Sequence, residues 1–118
     1  MKVEIDDSIR RRPELLESVQ QSNAILEELA GSSSPHVRVE WRLSPHDERL
    51  VELGLFEDRD FNAGITPTFP AQNLLDPVSR KLRLYRAWDF VLQARSKRNM
   101  ERINELITQL EREEANGR

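Results

Sequence analysis

Two histidines, an alternating run of acids and a cluster of cations are the residues of this chain whose types and spacing could do chemistry. His36 and His46 could share a metal or pass a proton between them. Each follows a proline, and together they bracket a stretch that alternates like a β-strand. At ~3.3 Å per residue such a strand holds its ends roughly 20 Å apart. A shared metal or a two-histidine mechanism fails on that distance, and both side chains read as solvent-exposed loop histidines. Asp58, Asp60 and Asn62 recur at every second position, as the oxygen ligands of a calcium loop do. That loop also demands a glycine at its sixth position and a glutamate at its twelfth. Here those positions hold Ala63 and Phe69. A polar connection between strands is the better reading, and no metal site is expected.

The absence of cysteine removes thiol nucleophiles, Cys-ligated zinc, iron–sulfur clusters and disulfides together. There is no glycine-rich phosphate loop, no G-x-S-x-G and no H-E-x-x-H. The adjacent carboxylates Glu27-Glu28 and Glu113-Glu114 fall on the polar sides of amphipathic segments and read as solvated helix faces. No catalytic, cofactor-binding or metal-binding residue emerges, and a non-enzymatic protein is expected.

The cations carry more information. Arg80, Lys81, Arg83, Arg86, Arg95, Lys97, Arg98 and Arg102 are opposed within their stretch only by Asp89 and Glu101, a surplus of six. The whole chain carries −3, so the remainder carries −9. A basic stretch of this kind can bind phosphates or an acidic partner. The acidic remainder repels a polyanion within a Debye length of ~8 Å at physiological salt. The expectation is therefore weak nucleic-acid binding at most. The cations should pair with carboxylates, either of the first helix (Glu14, Glu17, Glu27, Glu28) or of a protein partner. A nucleic-acid-binding module using residues 80–102 is the alternative.

These residues need elements to position them. With 118 residues, 37% of them hydrophobic, the chain is one domain with one modest core. No apolar run approaches the ~20 residues that span a bilayer. The first residues lack the apolar stretch of a signal peptide, so a cytoplasmic protein without membrane contact is expected. Leu15, Val19, Ser22, Leu26 and Leu29 recur at helical spacing, which predicts a helix from Pro13 to Ala30 with Gly31 as its stop. Val37, Val39, Trp41 and Leu43 alternate with polar residues, and Val51, Leu53 and Leu55 repeat the pattern. Two antiparallel strands with one buried face follow, leaving Arg38, Glu40, Arg42 and Glu52 on the other face. Ile65 to Phe69 reads as a third strand, confined to an edge by Pro67. Val3 and Ile5 offer one more short strand.

Asp76-Pro77 starts a helix that carries Val78, Leu82, Tyr85, Trp88, Val91 and Leu92 on one stripe. A second stripe, Met100, Ile103, Ile107 and Leu110, is out of phase with it, which predicts a break at 96–99. The expected fold is α+β: a small antiparallel sheet of two or three strands covered on one face by helices, in the order α-β-β-(β)-α-α. Residues 1–8 and 112–118 are expected to fray. This order resembles the α-β-β-β-α arrangement of the double-stranded-RNA-binding domain in topology. The last-helix motif departs from it: Arg80-Lys81 is followed by Leu82, Leu84 and Tyr85 where that family has small alanines.

The stripe Met100, Ile103, Ile107 and Leu110 exceeds what a two-layer domain of this size needs for cover. It either covers the sheet as core or pairs with another chain, and the second is taken as the expected interaction surface. The functional expectation is a non-enzymatic protein–protein interaction or adaptor module. Its partner is another protein or a second copy of itself, the homodimer forming through the C-terminal helix.

Overall fold

The computed structural model describes residues 1–58, 63–92 and 97–116; the side chains of residues 63, 92 and 97–103 lie outside the description. The chain opens with strand β1 (Lys2–Ile5) and a short helix α1 (Asp7–Arg10), then helix α2 (Pro13–Ala30) and a 3₁₀ turn over Gly31–His36. Strands β2 (Val37–Leu43), β3 (Leu50–Glu57), β4 (Ala63–Ile65) and β5 (Thr68–Pro70) follow. Helices α3 (Gln72–Leu75), α4 (Pro77–Leu92) and α5 (Lys97–Asn116) complete the order.

The α+β class holds, and the sheet is larger than expected. It has five strands in the spatial order β1-β2-β3-β4, with β5 also on β3. It is mixed, because β1 runs parallel to β2 while the other pairs are antiparallel. Four residues are too few for a period-two signal to stand out, which is why β1 reads only weakly in the sequence. Its direction follows from the helices between β1 and β2: a strand that returns to its neighbour through a helix pairs parallel. Residues 2–5 form a strand, and α5 extends through Asn116. A parallel first strand and a C-terminal helix pair also separate this fold from the α-β-β-β-α arrangement.

Pro67 explains why the third predicted strand appears as two. It has no N–H to give a ladder, so β4 and β5 stop on either side of it. Its carbonyl still accepts the Leu53 N–H at 3.0 Å, and both halves pair with β3.

The predicted boundaries of α2 match the observed ones. Pro13 occupies its first turn, and Gly31 ends it at φ +53°, a left-handed value that favours glycine. Ser18 and Ser22 lie on its buried side, where each hydroxyl donates to the carbonyl four residues back. At the start of α4, Asp76 accepts from the Val78 N–H and the Ser79 hydroxyl, the expected cap. The out-of-phase stripes become two helices, α4 ending at Leu92 and α5 beginning at Lys97; the break expected at 96–99 is corrected, because residues 97–99 belong to α5 and residue 96 lies outside the described residues.

All the helices lie on one side of the sheet. Val37, Val39, Trp41, Val51, Leu53 and Leu55 point to that side and are buried with Leu15, Val19 and Leu26 of α2 and Leu84, Trp88 and Val91 of α4. Leu43, expected among them, is half-buried at the end of its strand. Helix α5 forms an outer layer against α4.

Candidate functional site

The described cations of the basic stretch have separate surroundings. Arg80 is buried at the start of α4, where its Nη1 donates to the Leu74 carbonyl at 3.1 Å. Arg83 donates to Asn73 Oδ1 at 2.9 Å, and Arg86 pairs with Glu111 of α5. Lys81 is exposed. Arg95 and the side chains of Lys97, Arg98 and Arg102 lie outside the described residues. Of the four described cations in the stretch, Arg86 meets a carboxylate, while Arg80 and Arg83 meet a carbonyl and an amide oxygen. Their partners come from α3 and α5, and not from the acids of the first helix. Antiparallel contact between α4 and α5 brings Glu111 to Arg86 and Glu114 to Ser79.

The second stripe is likewise partly used within the chain. Leu110 is buried and Ile107 packs on the core; Met100 and Ile103 have side chains outside the description. His36 is exposed just before β2, and His46 is exposed in the turn beyond its end. That turn is held by Asp47, which accepts from both the backbone and the guanidinium of Arg49. These bonds hold the Asp47 carboxyl below its usual range. Of the calcium-like run, Asp58 pairs with Arg38 across 3.5 Å, and residues 59–62 lie outside the description. Among the described residues, no group of three or more histidine, aspartate or glutamate side chains could hold a metal ion.

What the structure does assemble is the sheet face away from the helices. The strand register sets its side chains in three rows. Lys2, Arg38, Phe56 and Gly64 form the first row, and Glu4, Glu40 and Gly54 the second. Arg42, Glu52 and Thr68 form the third. The two glycines have a reason. A Cβ at Gly64 would stand 2.4 Å from the Phe56 ring, and one at Gly54 would stand 2.8 Å from it. The ring therefore lies across both glycine backbones. The Arg38 guanidinium sits over that ring, 4.2 Å from its centroid. Glu40 and Asp58 hold the guanidinium there, and Arg42 is held by Glu52 in the same way.

Between the second and third rows runs a groove of about 490 Å³ with Gly54 in its lining. Among the described residues, Glu4, Asp6, Glu40 and Glu52 border it against one cation, Arg42. Asp6 is held in its charged form by Ser8, whose N–H it accepts as the cap of α1, and its carboxyl stays below the usual range. Glu4 stands directly opposite Glu40, a like-charge pairing that costs the sheet stability. The sequence places Arg38, Glu40, Arg42 and Glu52 on this face correctly. Gly54, Gly64 and the Phe56–Arg38 stack were missed as a unit, because the register that unites them cannot be read along one strand.

One titratable group in the helix layer is strained. Asp89 of α4 has a carboxylate oxygen, Oδ1, that is buried and has no hydrogen-bond partner. Burial raises its pKa above the ordinary 3.8. As pH rises past the ordinary value, the unfolded chain gives up this proton first, so stability falls until the folded-state pKa is passed. Asp89→Asn should therefore melt higher than wild type at neutral pH, and the two melting curves should converge in acid. Equal melting temperatures at pH 7 would show that the carboxylate is not destabilising.

A scan against protein-family models, a search of curated proteins and a search of solved structures find no match to the chain.

Proposed function

We propose that this chain is a non-enzymatic protein-interaction module that receives a protein partner on the open face of its sheet. The observation that carries the reading is the uncovered face itself: every described helix packs on one side, and the other side carries the groove beside Gly54. Antiparallel sheets are stable with one wet face, so exposure alone is ordinary. What favours docking is the arrangement on the face. Two arginines are already fixed by carboxylates, an aromatic ring is laid flat, and the groove keeps a surplus of acid. Fixed side chains lose little freedom on binding, which lowers the cost of association. The surplus favours a partner segment that presents lysine or arginine.

The reading keeps the protein partner expected from the sequence and moves the docking surface from α5 to the sheet. Ile107 and Leu110 already serve the chain's own packing, which weakens α5 as a free surface. Nucleic acid fits less well. Arg80, Arg83 and Arg86 have partners, and the arginines of the open face sit among carboxylates.

Amide shifts followed during titration with an oligolysine peptide, and separately with random-sequence duplex DNA, test the reading. The peptide should move the amides of Glu4, Glu40, Gly54 and Thr66, and Glu40→Gln should weaken the effect. DNA should leave the spectrum unchanged near physiological salt. Shifts confined to α4 and α5, produced by DNA and steeply dependent on salt, would replace this reading with the nucleic-acid one.

A further inference from the structure

We infer that β1 is a self-pairing edge, through which two copies of this chain join antiparallel into one continuous sheet. The inference goes beyond the docking face and does not depend on it. It starts from which backbone groups β1 leaves open. In the parallel pair with β2, the Asp6 N–H donates to the Trp41 carbonyl at 2.9 Å. Backbone groups of a strand point alternately to its two sides, so the even-numbered residues of β1 bond to β2. The N–H and carbonyl of Val3, and the N–H of Ile5, therefore point away from the sheet. The Ile5 carbonyl is covered by Arg10, whose Nε donates to it at 3.0 Å. Among the described residues no strand lies beyond β1.

The side chains state what the edge fits. The sequence Met1-Lys2-Val3-Glu4-Ile5 is complementary to its own reverse. An antiparallel pair centred on Val3 exchanges two hydrogen bonds between Val3 and Val3 of the second copy, since both groups of that residue face outward. Lys2 then stands opposite Glu4 of the second copy, and Glu4 opposite its Lys2. Met1 and Ile5 meet on the same side as Val3, facing the helix layer.

Met1 and Ile5 already pack on the chain's own core, but the Val3 and Lys2–Glu4 pairings supply what a single chain lacks. Val3 is 36% exposed although it faces the apolar side of the sheet. Lys2 has Arg38 as its cross-strand neighbour and Glu4 has Glu40, so both charges sit beside their own sign. Among the described residues neither Lys2 nor Glu4 makes a side-chain hydrogen bond or ion pair. The second copy brings a carboxylate to Lys2 and an ammonium to the Glu4–Glu40 pair. The contact is one short strand pair, so the dimer is a weak one of the micromolar to submillimolar range. It would set two open faces side by side as one surface.

Three variants test the pairing by sedimentation over that concentration range. Val3→Pro removes an N–H that the β1–β2 ladder does not use, which an edge strand tolerates. Glu4→Lys and Lys2→Glu each replace two opposite-charge pairs in the dimer by like-charge pairs, while relieving the like-charge neighbour within the chain. Wild type should pass from the 13.8 kDa chain to twice that mass with concentration. Val3→Pro should stay monomeric, and each single charge reversal should raise the dimer Kd by about tenfold or more. The double reversal Lys2→Glu with Glu4→Lys should restore dimerisation; should Val3→Pro misfold, the charge series decides alone. A wild type that stays at the chain mass throughout, or a dimer unmoved by the charge reversals, overturns the inference.

Discussion

Trp41→Ala is expected to remove about 3–5 kcal/mol of stability, the usual cost of deleting a core aromatic. Trp41 is 1% exposed in the middle of β2, with Ile5 of β1 on one side and Leu53 of β3 on the other. Its loss leaves a hole between three strands and α2 that fixed backbones can close only in part. Its indole N–H also donates to Asn23 Oδ1 of α2 at 2.8 Å, a link between the sheet and its helix cover. Domains of this kind have roughly 5–15 kcal/mol in all, so the variant should sit at the edge of folding. Urea titration measures the loss directly. Trp41→Phe separates the two contributions: it keeps most of the volume and loses the bond, at about 1 kcal/mol. A Trp41→Ala midpoint close to wild type would mean that β2 does not face the helices.

Gly64→Ala is the second large expected effect, and its sign is informative. In an ordinary strand, alanine in place of glycine stabilises by roughly 0.5–1 kcal/mol through the unfolded chain. Here the added Cβ would stand 2.4 Å from the Phe56 ring. The ring must leave its place over the two glycines, and the Arg38 guanidinium loses the surface beneath it. Displacing the ring from the glycines and from Arg38 opposes that gain, so the substitution should stabilise less than in an ordinary strand or destabilise outright. Phe56→Ala supplies the control. In that background the clash is gone, and Gly64→Ala should become neutral or stabilising. A double-mutant cycle by urea unfolding reads the coupling. Additive effects of the two substitutions would show that the ring does not rest on Gly64.

Much of the fold was legible along the chain, and the reasons differ by element. Helix α2 announces itself by an apolar stripe, a proline at its start and a glycine at its end, all local signals. Strands β2 and β3 are long enough for alternation to separate their two faces, so Trp41 and Leu53 could be assigned inward and Arg42 and Glu52 outward. That two helices follow Pro77 was readable because Leu92 and Met100 belong to stripes of different phase, whereas the position of the change, expected at 96–99, was placed too late. β1 was harder, since Val3 and Ile5 alone make a two-residue pattern and their partners lie beyond an entire helix. The candidate site was least legible. Phe56 reads as a strand residue on the wet face, and only the cross-strand register puts it over Gly64 and under Arg38. The engagement of Arg80 by the Leu74 carbonyl was also hidden, because a helix-start cation looks exposed until α3 is placed beside it.

The position of β1 has a consequence for how the molecule assembles. The β2–β3 pairing joins neighbours through a short turn, and α4 meets α5 across a comparably short connection. Either unit can form while the rest of the chain is still open, because closing a short loop costs little entropy. β1 instead must find residue 38 from residue 2, with α1, α2 and the 3₁₀ turn already between them. Its ladder is a late, long-range closure held by one neighbour only. The order of events expected from this runs from the hairpin outward. Hydrogen exchange of the β1 amides should then be faster than that of the β2–β3 centre.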